Sequence, residues 1–220
     1  MAKLTPLINT LILIFFFAIG GCTPEPVMLR PLSPESIILA FGDSLTYGTG
    51  SGGLGFASPE RTYPAELELL TGHPVINAGK PGELSAQGLN RLQQTLDRWQ
   101  PELVILCHGG NDLLRRLPHQ ALKQHLSDMV RIIQNSDAQV ILIGVPAPGL
   151  FLKTADAYTE IAYEFGIPLE STVLQDILAD GALKSDTIHP NAKGYAKLAQ
   201  HIDALLRASG ALPALDSSPQ

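Results

Sequence analysis

From Ile37 onward the hydrophobic positions fall into two alternating patterns. Ile37–Phe41, Val75–Ala78, Leu103–Cys107, Val140–Val145 and Ile167–Leu169 are short apolar runs, as expected of strands covered on both faces. The segments between them carry helical spacing. Pro64–Leu70 opens on a proline and is followed by Gly72, which predicts a short helix marked at both ends. Leu84–Trp99 and Ala155–Phe165 are further helical stretches, and Leu122, Leu126, Met129, Val130 and Ile133 share one helical face. A last helix starts near Asn191 and offers Tyr195, Leu198, Ala199, Ile202 and Leu206 to the core. Buried strands alternating with amphipathic helices predict an α/β fold, a doubly wound three-layer sandwich with a central parallel sheet of about five strands. In such sheets ligands bind beyond the carboxyl ends of the strands, so the polar turns there are where chemistry is expected.

The N-terminus follows a different pattern. Lys3 precedes a nearly unbroken apolar run, Leu7–Ile19, which includes Phe15, Phe16 and Phe17. The run is shorter than the roughly 20 apolar residues of a membrane span, and it ends on small residues, as a signal peptide does. Ile19-Gly20-Gly21-Cys22 resembles a bacterial lipobox, with Gly20 standing where Ala, Ser or Thr is commoner. An ordinary signal peptide or a short uncleaved anchor is the alternative. The resemblance implies cleavage before Cys22, acylation of Cys22 and anchorage to a lipid bilayer. Thr23, where an Asp would mark inner-membrane retention, implies the outer membrane, facing the periplasm. The expected organisation is a signal peptide over 1–21, acylated Cys22 with an extended tether over 22–36, one domain over 37–209 and a frayed tail over 210–220. Pro24, Pro26, Pro31 and Pro34 carry the tether reading.

Composition narrows the classes. A chain of 220 residues that is 45% hydrophobic suits one domain with a large core. Its net charge is −6, and its Lys and Arg are scattered, so no basic stripe exists to neutralise nucleic-acid phosphates. Of the two cysteines, Cys107 lies inside a strand-like run and reads as a buried thiol, and pairing it with Cys22 would tie the tether to the sheet.

The turns after the strands carry chemistry. Gly42-Asp43-Ser44-Leu45 follows the first strand, Asn77-Ala78-Gly79 the second and Gly109-Gly110-Asn111-Asp112 the third, while Asp186-Thr187-Ile188-His189-Pro190 precedes the last helix. A serine hydroxyl needs a base to take its proton, and histidine is the usual one. The histidine needs an acceptor on its other nitrogen to fix the tautomer. Asp186 lies three residues before His189, within reach in one turn. Ser44, His189 and Asp186 are the candidate triad. The backbone N–H groups of Ser44 and Gly79 and the amide of Asn111 are the candidate oxyanion donors.

These blocks resemble the GDSL, or SGNH, hydrolase superfamily, and in particular its small bacterial thioesterase, arylesterase and lysophospholipase branch. Ser44 matches the first block, Gly79 the second, Asn111 the third, and Asp186 with His189 the last. Order and spacing agree from about Ile37 to the final helix. Lys80-Pro81 departs from the Ser-Gly type of turn common there. The resemblance implies a serine esterase acting on acyl esters, and no cofactor. A carbohydrate or cell-wall O-acetylesterase is the alternative enzyme, and a binding lipoprotein on the same fold the alternative class. Leu113, Leu114, Leu150 and Phe151 follow the third and fourth strands and are candidates for an acyl pocket. Histidine spacing offers no metal site. Gly48–Gly53 fits G-x-G-x-x-G without a helix behind it and reads as a flexible loop beside Ser44.

Overall fold

The computed structural model describes residues 27–149 and 152–215. In chain order they form β1 (Ile38–Gly42), α1 (Ser44–Tyr47), α2 (Tyr63–Thr71), β2 (Val75–Gly79), α3 (Ser85–Trp99), β3 (Leu103–Cys107), α4 (Gly110–Leu114), α5 (His119–Asn135), β4 (Gln139–Ile143), β5 (Pro146–Ala147), β6 (Lys153–Thr154), α6 (Asp156–Phe165), β7 (Leu169–Glu170), α7 (Val173–Ala179) and α8 (Ala192–Ala208). Five strands make one parallel sheet in the order β2-β1-β3-β4-β7. α3 packs on α5 and α5 on α6 over one face; α2 packs on α8 and α8 on α7 over the other. This is the expected doubly wound sandwich. From β1 the chain moves to β2 on one side and later to β3 on the other, so the switch point lies at the carboxyl ends of β1 and β3.

Local signals set the helices. Thr62 accepts the Ala65 N–H at the start of α2, and Gly72 ends it at φ 73°. α8 is capped by Asn191 and buries Tyr195, Leu198, Ala199, Ile202 and Leu206, the predicted face. The fifth strand begins two residues later than expected. The Ile167 N–H closes the end of α6 on Ala162 O, and Pro168 has no N–H to give a ladder. α7 and the two-stranded β5–β6 sheet are absent from the sequence reading, being too short for periodicity to reveal.

Both ends of the domain differ from expectation. Residues 27–36, read as part of a tether, lie against the domain: Leu29 N–H donates to Ser209 O and Leu32 N–H to Ala211 O. Ser33 and Ser36 hydroxyls donate to Glu102. The tail read as frayed is turned inward at Gly210 and buries Ala211 and Leu212 in the core. The two segments hold each other, and neither is legible alone. Leu212→Ala is expected to cost about 2–3 kcal/mol and to lower the melting temperature by about 5–10 °C. An unchanged thermal melt would mean that the tail is free.

Candidate active site

The site is built at the switch point. Ser44 opens α1 directly after β1, and Asp43 caps that helix by accepting the Leu45 N–H at 3.1 Å. Burial pushes the Asp43 carboxyl up, against N–H donors from Leu45 and Gly110. Gly42 is required before it: a Cβ there would stand 2.0 Å from Cys107 O, so only glycine lets β1 and β3 end this close together. As the first residue of a helix, Ser44 has no intrahelical partner for its N–H, and no other acceptor takes it among the described residues.

His189 is delivered by the loop before α8. That loop is closed by Ser185 N–H to His189 O and Asn191 N–H to Leu183 O, each 2.9 Å. Asp186 then makes three bonds. Its Oδ1 accepts the N–H groups of Ile188 and His189, and its Oδ2 accepts His189 Nδ1–H, all at 2.8 Å. Partial burial raises the Asp186 pKa, but the Ile188 N–H and the His189 imidazole outweigh it, and the net value lies below the ordinary carboxylate one. With a proton fixed on Nδ1, His189 Nε2 is the acceptor, and the Ser44 hydroxyl donates to it at 3.0 Å. The structure thus brings Ser44, His189 and Asp186 into one hydrogen-bonded line. Such a line can move a proton off a hydroxyl.

Asn111, in α4 after β3, faces the same place: its Nδ2 lies 3.3 Å from Asp43 Oδ2 and 3.0 Å from Glu83 O. Gly79 does not join them. Its N–H donates to Asn77 Oδ1, and a Cβ at 79 would sit 2.1 Å from Tyr47 N. This glycine serves the close approach of β2 to α1, and it lines a different groove, with Tyr47 and Asn77. The residue missed is Gly82. It has φ 75°, nothing within 4 Å of where a Cβ would lie, and an N–H without an acceptor among the described residues. The bond from Asn111 to Glu83 O sets the Gly82–Glu83 stretch beside the Asn111 amide. The sequence signal was a Pro-Gly turn, Pro81-Gly82, three residues further on.

The GDSL-like lipase/acylhydrolase family model matches residues 40–197, which hold Ser44, Asn111, Asp186 and His189. The chain belongs to this family. An arylesterase of Vibrio mimicus is 27% identical over 208 residues, covering 89% of this chain and 96% of its own. The thioesterase 1/protease 1/lysophospholipase L1 of Escherichia coli strain K12 is 30% identical over 162 residues, 70% of this chain and 75% of its own. Among solved structures, AlinE4, an SGNH-hydrolase family esterase, superposes with TM-score 0.61 at 31% identity, over 83% of this chain and all (100%) of that one. The protein is a serine esterase of the SGNH family.

The esterase opens its Ser44 to a cleft of about 280 Å³ lined by Leu114, Val145, Leu152, Leu178 and Ile188 alongside Asn111 and His189. Leu114 is therefore where the sequence placed it. Leu113 is not: one position along α4 it turns to the core. Leu150 and Phe151 lie outside the described residues, as does Cys22, although their neighbours Gly149 and Leu152 line the cleft. The Gly48–Gly53 loop, expected to be flexible, is pinned by Gly50 and Gly52 N–H bonds to Phe56 O and by Gly50 packing on Ser185 and Pro190. A second Ser/Asp/His group exists, but it is no copy of the first. Ser85 is wholly buried and donates its one proton to Asp112 at 2.6 Å, so His125 Nδ1 can only donate to it. It ties α3, α4 and α5 together.

Proposed function

We propose that this esterase cleaves the carboxylic ester or thioester bonds of acyl substrates, such as lysophospholipids and small aryl or alkyl esters, through an acyl-Ser44 intermediate. The observation that carries the reading is the 3.0 Å contact of Ser44 Oγ with a His189 ring whose other nitrogen is held by Asp186. His189 Nε2 takes the hydroxyl proton as Oγ bonds to the acyl carbon, and the carbonyl oxygen becomes an oxyanion. The N–H groups of Ser44 and Gly82 and the Asn111 amide stabilise it, Gly82 replacing Gly79 in that role. His189 returns the proton to the departing alcohol or thiol. Water, deprotonated by the same nitrogen, then releases the acid and restores Ser44. Ionised Asp186 stabilises the transient imidazolium.

The apolar lining favours acyl groups larger than acetyl. An O-acetylesterase would want a small, polar pocket, and a binding module has no need of a histidine poised on a serine. Ser44→Ala should abolish turnover and labelling by a fluorophosphonate, and Asn111→Ala should lower kcat by about 10²–10³. Labelling that survives Ser44→Ala would refute the nucleophile. Each buried methylene contributes about 0.8 kcal/mol, so filling the cleft with Leu114→Trp and displacing about three of the methylenes that distinguish octanoyl from acetyl should cut kcat/KM for an octanoyl ester by about 60-fold relative to an acetyl ester. An unchanged chain-length profile would place the acyl group elsewhere.

The same proposal extends to location: residues 1–21 as a signal peptide, and Cys22 acylated so that the enzyme is held on the outer membrane facing the periplasm. The support is the short apolar run ending in Gly20-Gly21-Cys22. Cells fed labelled palmitate should incorporate it into the wild type and not into Cys22→Ala. Equal labelling, or none in either, removes the anchor.

A further inference from the structure

Behind the candidate oxyanion donors lies a charged group that the reaction itself does not use. The Glu83 side chain is 1% exposed, yet it carries a carboxylate. Arg91 Nε donates to its two oxygens at 2.9 and 2.8 Å, and Arg91 Nη2 lies 2.7 Å from Oε2. His108, fully buried at the end of β3, reaches Oε2 at 3.2 Å through Nε2. Its Nδ1 accepts the Gly109 N–H at 2.9 Å, so the ring proton sits on Nε2 and is donated to Glu83. These partners, chiefly His108 and Arg91, overcome desolvation and hold the Glu83 carboxyl at about 2.

Each partner is tied to a different strand end. Arg91 Nη2 donates to Gly42 O at the end of β1 and to Ala78 O near the end of β2, both at 3.0 Å, and its guanidinium lies 3.9 Å over the Phe41 ring. His108 precedes the Gly109 turn that starts α4. Glu83 O accepts from Asn111, and Glu83 N–H folds back on Lys80 O at 3.3 Å to close the turn containing Gly82. One residue therefore joins the ends of β1, β2 and β3 to the two groups given as oxyanion donors. We infer that Glu83, clamped by Arg91 and His108, is a positioning residue that fixes the Gly82 N–H and the Asn111 amide relative to Ser44. The inference rests on Ser44 being the nucleophile. Burying an ion pair is close to neutral for stability against an apolar replacement, so geometry is the better account of its use.

Glu83→Gln keeps the side-chain volume and removes the charge that grips both partners. Loosened donors act only on the tetrahedral state, so kcat should fall by about tenfold or more while KM stays within about twofold. The inhibition constant of an alkylboronic acid, which forms a tetrahedral adduct on an active serine, should rise by the same factor, with the fraction of fluorophosphonate-titratable sites unchanged. His108→Leu, which leaves the Glu83–Arg91 pair intact, should show the same parallel loss, and His108→Gln, which keeps a donor, should recover part of it. Wild-type kcat and inhibitor affinity in either Glu83→Gln or His108→Leu, or a loss that appears entirely as fewer titratable sites, would overturn the inference. Failure of the wild type to be titrated at Ser44 is a different result, and it strikes the nucleophile reading instead.

Discussion

The bond from Ser44 to His189 joins residues 145 apart in sequence, and its 3.0 Å length is set by the packing of the last helix rather than by anything local. α8 lies on α2, which follows Ser44 through one loop, so the element that delivers the histidine is seated on the element that follows the serine. Two further ties fix the approach. Tyr195 Oη, one turn into α8, donates to Thr49 O just past α1, and Gly50 sits against Ser185 and Pro190 on either side of His189. Closing so long a loop grows only slowly more costly with its length, and the buried face of α8 meets that cost.

What the sequence disclosed depended on whether a signal was local. Strands buried on both faces announce themselves as apolar runs, and α2 announces both its ends through Pro64 and Gly72. Asp186 and His189 were legible as partners because both lie in one turn. Ser44 and Asn111 were legible because the strand-end rule puts the turns after β1 and β3 on one edge. Gly79 and Gly82 could not be told apart that way. Gly79 ends β2 and Gly82 lies three residues beyond it, and only the backbone of Tyr47 pressing on residue 79 shows which glycine serves packing and which is left open. Leu29, Leu32, Ala211 and Leu212 failed for a related reason: each stretch is unremarkable alone, and their pairing crosses the whole domain. α7, with Val173, Leu174, Ile177 and Leu178 buried, spans too few residues for its period to stand out.

Buried polar groups gather at one edge of this sheet. Asp43, Glu83, Ser85, His108 and Asp112 are all withdrawn from water, and all lie at or just beyond the carboxyl ends of the first three strands. Withdrawing such groups costs several kcal/mol each unless their bonds are satisfied. Here Asp43 takes the Leu45 N–H, Asp112 takes Ser85, and Glu83 takes Arg91 and His108. The amino ends of the same strands carry no comparable set among these residues. A fold selected for stability alone would fill this edge with apolar side chains, as it fills the middle of the sheet. Where local economy is broken in one place and every break is compensated, the place is the one whose geometry matters.

The docked N-terminal segment lies at the edge of the sheet away from Ser44. Arg30 pairs with Gln139, the first residue of β4, and the Glu102 that holds Ser33 and Ser36 directly precedes β3. Both contacts are at the amino ends of the parallel strands, whereas Ser44 is at the carboxyl end of β1. The two edges stand about 17 Å apart across a five-residue strand, before any loop is counted. Any attachment made through residues before Val27 would hold the domain by the edge opposite its active site.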